Sequence, residues 1–445
     1  MRASPPPHLG PDERKLIINC ARLELQDALR EQTRALIHKP LAWDAILFHA
    51  ELHSVAPLLY RSLKRLNGFD QIPTEARQAL LRLFHRAGYQ NRKFSGAVQE
   101  IAQSFAAVSI PVIVLKGLSL VELIYGSLSL RPLIDLNLLI PKEMLRRAMR
   151  LLLQMGYSHW TRYPLRRFYE WLYSQNYLVR AKEFDIHLLL QWDVVNWPKI
   201  HAIDLRRVWA DAQSARLSGC DARVLSPVDF LLYLCLQPGK QGFLNNAAVH
   251  EEDPATLIFT EWTDNRLIRF TDIYETIRHY QATLDWEILI HRAKASGFEG
   301  SVYTNLLWVQ KLYGQAVPDR VLSNLRPSPP RFLRRWIFEA LAQTRNHAST
   351  MIFRRWWLKK PKLAQLRWVK RLDLLEFIFP RQEELRLRYQ FRWKKMARAA
   401  CLLHSGKAIA RCAFGVLPLI YCLLTRRKPS TMQRRQEPLH AMSDS

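Results

Sequence analysis

The chain is 445 residues long, 49% hydrophobic and strongly basic, with 66 Lys and Arg against 39 Asp and Glu for a net charge of +27. That apolar share excludes wholesale disorder, and the length supports two to four compact units with substantial cores. The charge excess selects acidic partners (nucleotides, nucleic acid, anionic lipid headgroups or phosphorylated saccharides) without choosing among them. Six cysteines, Cys20, Cys220, Cys235, Cys401, Cys412 and Cys422, show no paired spacing. They read as buried thiols in a reducing cytoplasm, not as a zinc site or a disulfide framework. The N-terminal MRASPPPHLGPDERK lacks the apolar core of a signal peptide.

In chain order, residues 1 to about 11 are Pro-rich and expected to be disordered. From Asp12 to Val108 the pattern is helical. Trp43, Ile46, Leu47, Leu52, Val55, Leu58, Leu59 and Leu63 recur at helix-like intervals, with Pro57 kinking or splitting the segment. A second stripe runs from Ala76 through Leu80, Leu83, Phe84 and Val98 to Phe105. The period then changes. Pro111–Leu115 and Leu133–Ile140 read as buried strands, and Pro141 opens an amphipathic helix that Gly156 can cap. Strands follow at Asn176–Ala181 and Phe184–Leu190. The expectation over 109–225 is therefore an α/β domain with a small mixed sheet, in a chain otherwise helical over 12–108 and 226–325. Helices are expected at 228–237, 265–280, 285–297 and 300–313, and the aperiodic stretch 238–263 is expected to be a surface insertion.

Arg326-Pro-Ser-Pro-Pro330 reads as a linker into a basic, Trp-rich helical region over 326–428, before a disordered tail at 429–445. Between 345 and 398 there are sixteen Lys or Arg against four Asp or Glu, interleaved with Trp356, Trp357, Trp368 and Trp393. Cys412–Leu424 is an apolar run that falls well short of the ~20 residues a bilayer-spanning helix needs. The reading favours a buried terminal helix over an interfacial anchor.

Residues two apart on a strand share a face. Asp135 and Asn137 thus lie opposite Ile134, Leu136, Leu138 and Ile140, and Asp185 and His187 lie opposite Phe184, Ile186, Leu188 and Leu190. Two such strands in one sheet bring four polar side chains over one cleft, a sensible place for Mg²⁺ (or Mn²⁺), which takes oxygen ligands and shares them with substrate phosphates. Upstream, Lys116-Gly117-Leu118-Ser119 leaves a strand, where glycine permits close approach and lysine adds a charge for phosphate. Each motif alone is ordinary.

Their order is not. LKGLSLVELIYGSLSLRPLIDLNLLIPKEMLRRAMRLLLQMGY followed by EFDIHLLL resembles the uncharacterised bacterial nucleotidyltransferase family, a branch of the DNA polymerase β superfamily. HSVAPLLYRSL, SPVDFLLYLC, RLIRFTDIYETI and DWEILIHRAKASGF extend the likeness over roughly residues 40 to 325. The resemblance implies an α+β fold, a mixed-sheet nucleotidyltransferase palm embedded between helical regions. It implies a metal that polarises the α-phosphate of a nucleoside triphosphate while a hydroxyl on a small molecule, saccharide or protein attacks. Carried over, Asp135, Asn137 and Asp185 are the metal ligands and catalytic residues, with Asp185 placed to help activate the acceptor. Gly117 and Ser119 form the phosphate-binding turn, Lys116 and Arg131 contact phosphate or position the site, and His187 supports the ligands.

One departure matters. The family's second aspartate is Asn137 here, and an amide ligates without supplying charge, so the enzyme is expected to be weakened. The rival reading is a catalytically degenerate binding or adaptor protein. It would dock on an anionic membrane or nucleic acid through the basic 345–428 region, with specific nucleic-acid recognition disfavoured because no such motif is present. The expected location is cytoplasmic or membrane-peripheral.

Overall fold

The computed structural model describes residues 7–159, 175–180, 186–194, 203–239, 254–260 and 266–326, all within a compact unit that ends at Ser328. The basic region, the 412–424 run and Asp185 lie outside the described residues. The architecture is α+β, seven strands of one mixed sheet set among helices.

Four short helices come first: α1 (Pro11–Cys20), α2 (Asp27–Ile37), α3 (Trp43–Leu52) and α4 (Ala56–Arg65). Pro57 does split the periodic stretch. It sits in the first turn of α4, where a missing N–H costs nothing, and the chain turns just before it at Ser54, φ 60°. The Pro-rich N-terminus departs from expectation. From Pro7 it is ordered: Leu9 is buried in the core, and Pro11 opens α1 with Asp12 and Glu13 beside it. α5 (Thr74–Ala106) then runs 33 residues and presents Phe94, Val98, Ile101 and Phe105 to the sheet.

The strands are β1 (Ile113–Val114), β2 (Leu136–Leu139), β3 (Ser158–His159), β4 (Gln175–Arg180), β5 (Ile186–Gln191), β6 (Gln213–Leu217) and β7 (Cys220–Val224), in the order β3-β4-β5-β2-β1-β7-β6. β2 pairs antiparallel to β1 and parallel to β5, with Leu136 opposite Leu188 and Asn137 opposite Leu189. Alternation sorts the strand residues between two cores. Val114, Leu136, Leu138, Leu188 and Leu190 join α5 and α6 (Leu145–Gln154), whereas Ile113, Leu115 and Leu139 join the helical side. The β6–β7 hairpin is absent from the sequence reading. Its two-residue turn, Ser218-Gly219, has φ of 53° and 75°, the mirror-image geometry that tight hairpins prefer.

The remaining helices are α7 (Leu205–Asp211), α8 (Pro227–Gly239), α9 (Pro254–Thr260), α10 (Leu267–His279), α11 (Trp286–Ala295), α12 (Glu299–Tyr313) and α13 (Asp319–Leu325). They share one hydrophobic cluster with α1–α4, so the helical regions flanking the sheet in sequence form one core in space. Over its described residues 254–260, the stretch expected as a surface insertion at 238–263 is instead α9, with Ile258 and Phe259 buried in that cluster. No helix of the described residues is long and apolar enough to cross a membrane.

Candidate active site

The turn after β1 is built on Gly117. Its φ of +79° is strained for any L-residue, and a Cβ there would stand 3.4 Å from the Asp135 carbonyl oxygen. Leu115 N–H donates to the Asn137 carbonyl at 3.0 Å, so turn and strand are tied on both sides of Asp135. Ser119 does not face a ligand. Its hydroxyl is buried and donates to the Val114 carbonyl at 2.9 Å, closing the turn on itself. The helical segment that follows is short and wide, with Tyr125 N–H reaching back five residues to Leu120.

The segment leading into β2 is held by residues that sequence reasoning did not single out. Asn91, fully buried on α5, donates to the carbonyls of Leu128 (2.6 Å) and Arg131 (2.8 Å) and accepts from Leu133 N–H (3.1 Å). Arg131 forms a two-pronged pair with Asp272 of α10, Nε to Oδ1 at 3.1 Å and Nη2 to Oδ2 at 2.7 Å. Tyr125 Oη donates to the same carboxylate at 2.8 Å. Asp272 is almost wholly buried, so the charge pair is both desolvated and hydrogen-bonded. Burial works against the Arg131 cation, but the Asp272 carboxylate outweighs it and its pKa is raised. Tyr125 is held protonated, its pKa raised by burial and by Asp272. Arg131 is therefore committed to positioning. The RP, Tyr and helical Asp of the resemblance are one buried network.

Two side chains stand out as uncommitted. Among the described residues, neither the half-buried Asp135 carboxylate nor the Lys116 ammonium has a hydrogen bond or ion pair. Burial lowers the Lys116 pKa; Asp135 and Asp272 oppose that, while Arg131 and Arg269 add to it. These three cations and two carboxylates leave a local positive excess. Asn137 is buried on the same strand face as Asp135; Gln191 Nε2 donates to its Oδ1 at 3.0 Å, leaving Asn137 Nδ2 and Gln191 Oε1 without partners. Continuing the β2–β5 register one residue past Leu136–Leu188 sets Asp135 alongside His187. The expected meeting of Asp135 with Asp185 falls outside the described residues. Within them no three acidic, His or Cys side chains gather in a way that could hold a metal.

α10 is anchored on its other side too. Glu275 accepts from Leu23 N–H at 2.8 Å, and the Arg22 guanidinium lies 5.6 Å from the Tyr274 ring centroid. At its N-terminus, Leu267 N–H donates to His53 Nδ1 at 3.4 Å. Burial, with His49 and Arg266 adding repulsion, pushes His53 down to about 3. A neutral ring accepts that hydrogen bond; a protonated one cannot. Between pH 6.5 and 3 the unfolded chain takes up a proton that the native state refuses, so His53 removes stability as pH falls through this window. Urea denaturation at pH 7.5 and 5.0 should show wild type losing ~2 kcal/mol more than His53→Gln. Equal losses would mean that His53 is protonated in the fold.

The fold and the motifs around the end of β1 and the start of β2 define a nucleotidyltransferase-type α+β protein. A family model described as uncharacterised nucleotidyltransferase matches residues 39–314. The chain belongs to that family, and its general function is that of a nucleotidyltransferase. No curated protein and no solved structure matches the chain.

Proposed function

We propose that the protein transfers a nucleoside monophosphate from a nucleoside triphosphate to a hydroxyl acceptor at Lys116 and Asp135, where β1 ends and β2 begins in the middle of the sheet. The observation that supports this most is selective commitment. Asn91, Ser119, Tyr125, Arg131 and Asp272 are bound to one another or to backbone, whereas Asp135 and Lys116 are left available. A carboxylate and a cation that make no hydrogen bond among the described residues, in a half-buried setting, carry an electrostatic cost that a ligand offsets.

In this reading Lys116 neutralises the triphosphate, and Gly117 lets phosphate approach the backbone. The Ser119 hydroxyl braces the turn, and Arg131 and His187 position the strand ends. Asp135, Asn137 and Asp185 would hold Mg²⁺ or Mn²⁺, a Lewis acid for the α-phosphate. The described donor set suits a cation only in part: one available carboxylate and one amide. The second carboxylate is assigned to Asp185. The acceptor oxygen bonds to the α-phosphorus as the bond to the bridging oxygen breaks, pyrophosphate leaves, and Asp185 takes the acceptor proton. The amide pair Asn137–Gln191 favours a second reading, a nucleotide-binding protein whose turnover is lost.

Titration calorimetry with ATP, CTP, GTP and UTP plus Mg²⁺ tests the proposal, since a nucleotidyltransferase binds at least one of them. Lys116→Met should weaken that binding at least tenfold while the melting temperature holds or rises, because a poorly compensated ammonium is removed. Absence of binding by all four nucleotides would remove the enzyme reading.

A further inference from the structure

A cleft of about 380 Å³ opens beside the segment leading into β2. It is bounded by the α3–α4 connection, α5, residues 132–134, His187 of β5 and Arg266 at the start of α10. His187 on its wall is the residue that the β2–β5 register sets alongside Asp135, so the cleft reaches the neighbourhood of the proposed reaction site. Its volume lies within the range of small-molecule sites.

The lining divides by chemistry. Leu83, Phe94, Leu133 and Ile134 supply apolar surface, and Ile134 is 58% exposed. Two guanidiniums face this surface. Arg266 donates to Ser54 Oγ at 3.3 Å and has no acidic partner among the described residues. Arg86 meets Glu51 at 3.4 Å, with both side chains more than half exposed. Such an exposed pair holds its arginine weakly. An apolar wall with one guanidinium that has no acidic partner among the described residues, and a second held only by an exposed pair with Glu51, matches a ligand with an apolar body and an anionic group, which planar guanidiniums bind through paired hydrogen bonds.

We infer that this cleft is the acceptor site, and that the acceptor is a hydroxyl compound carrying an apolar or aromatic body and a carboxylate or phosphate. The inference rests on the proposed nucleotidyl transfer for the word acceptor; the ligand chemistry rests on the cleft alone. Ile134 and its apolar neighbours pack the body, Arg86 and Arg266 fix the anionic end, and the hydroxyl reaches Asp135 along the His187 side of the cleft.

Binding can be measured without turnover. Phenyl phosphate and phenylacetate serve as probes, with benzyl alcohol and inorganic phosphate as controls lacking one half of the chemistry. By ligand-observed NMR or calorimetry, at least one anionic aromatic should bind about tenfold more tightly than either control. Whichever of the two binds names the anionic group. Arg86→Ser combined with Arg266→Ser should abolish that preference while leaving the thermal melt and the Mg²⁺–nucleotide affinity unchanged. Ile134→Asp should weaken the probe by a similar factor. Equal binding of benzyl alcohol and the anionic probes, or an unchanged affinity in the double variant, overturns the inference. Loss of nucleotide binding in wild type with probe binding intact would instead remove the transfer reaction and leave the cleft as a ligand site.

Discussion

Asp272→Ala should destabilise the protein by ~3–5 kcal/mol, because it leaves the Arg131 guanidinium buried without the carboxylate that hydrogen-bonds it. The pair is nearly dry on both sides, 13% and 3% exposed. The same carboxylate accepts the Tyr125 hydroxyl, so three donors lose their acceptor together. The loss reaches the site directly, since Arg131 lies four residues before Asp135 on a segment that Asn91 clamps from behind. Activity should therefore fall further than stability alone explains at temperatures where the variant is still folded. Urea denaturation gives the magnitude. Arg131→Met combined with Asp272→Leu should recover much of the stability, because an apolar pair of similar size removes both buried charges. A loss under about 1 kcal/mol for Asp272→Ala would mean that water reaches this pair and that it does not brace the strand.

Asn137→Asp should have opposite effects on stability and on chemistry. Asn137 is buried, and among the described residues the one hydrogen bond to its side chain comes from Gln191. A carboxylate there keeps that donor but brings a charge into a place that has lost its water. Without metal the variant should be less stable by a few kcal/mol. Millimolar Mg²⁺ should restore most of this loss, because a cation that binds only the folded state shifts the equilibrium toward it. Metal-dependent turnover should rise by ~10²–10³, the usual worth of one well-placed electrostatic contact at a reacting centre. A stability loss that Mg²⁺ leaves unrepaired would mean that no cation sits beside position 137. The degenerate reading would then be the better one.

Much of the frame was legible because apolar periodicity is a local signal. Leu136, Leu138, Ile186, Leu188 and Leu190 alternate with polar residues, and they do pack on α5 and α6. The face carrying Asp135 and Asn137 follows from that alternation. What was not legible is long-range. Asn91, Tyr125 and Asp272 are polar residues on segments whose local pattern fits a solvated face. Only their pairing with residues 37 to 147 positions away buries them. Ser119 shows the same limit from the other side. A hydroxyl in a strand-to-helix turn suits a phosphate, and its turn toward the Val114 carbonyl depends on backbone geometry that spacing does not encode. α9 escaped because its apolar stretch, Leu257-Ile-Phe259, is too short for a helical period to show. The β6–β7 hairpin carries a signal that could have been used, the Ser-Gly pair between two short runs.

The most direct test is pyrophosphate release from the nucleoside triphosphate that binds, measured with Mg²⁺ for wild type and Asp135→Asn. The exchange keeps shape and volume and removes one charge. Wild type should release pyrophosphate in a metal-dependent way, and Asp135→Asn should fall by at least ~10² with its melting temperature within a few degrees. Equal rates in the two proteins would show that Asp135 takes no part in the chemistry and that the uncommitted carboxylate has been misread.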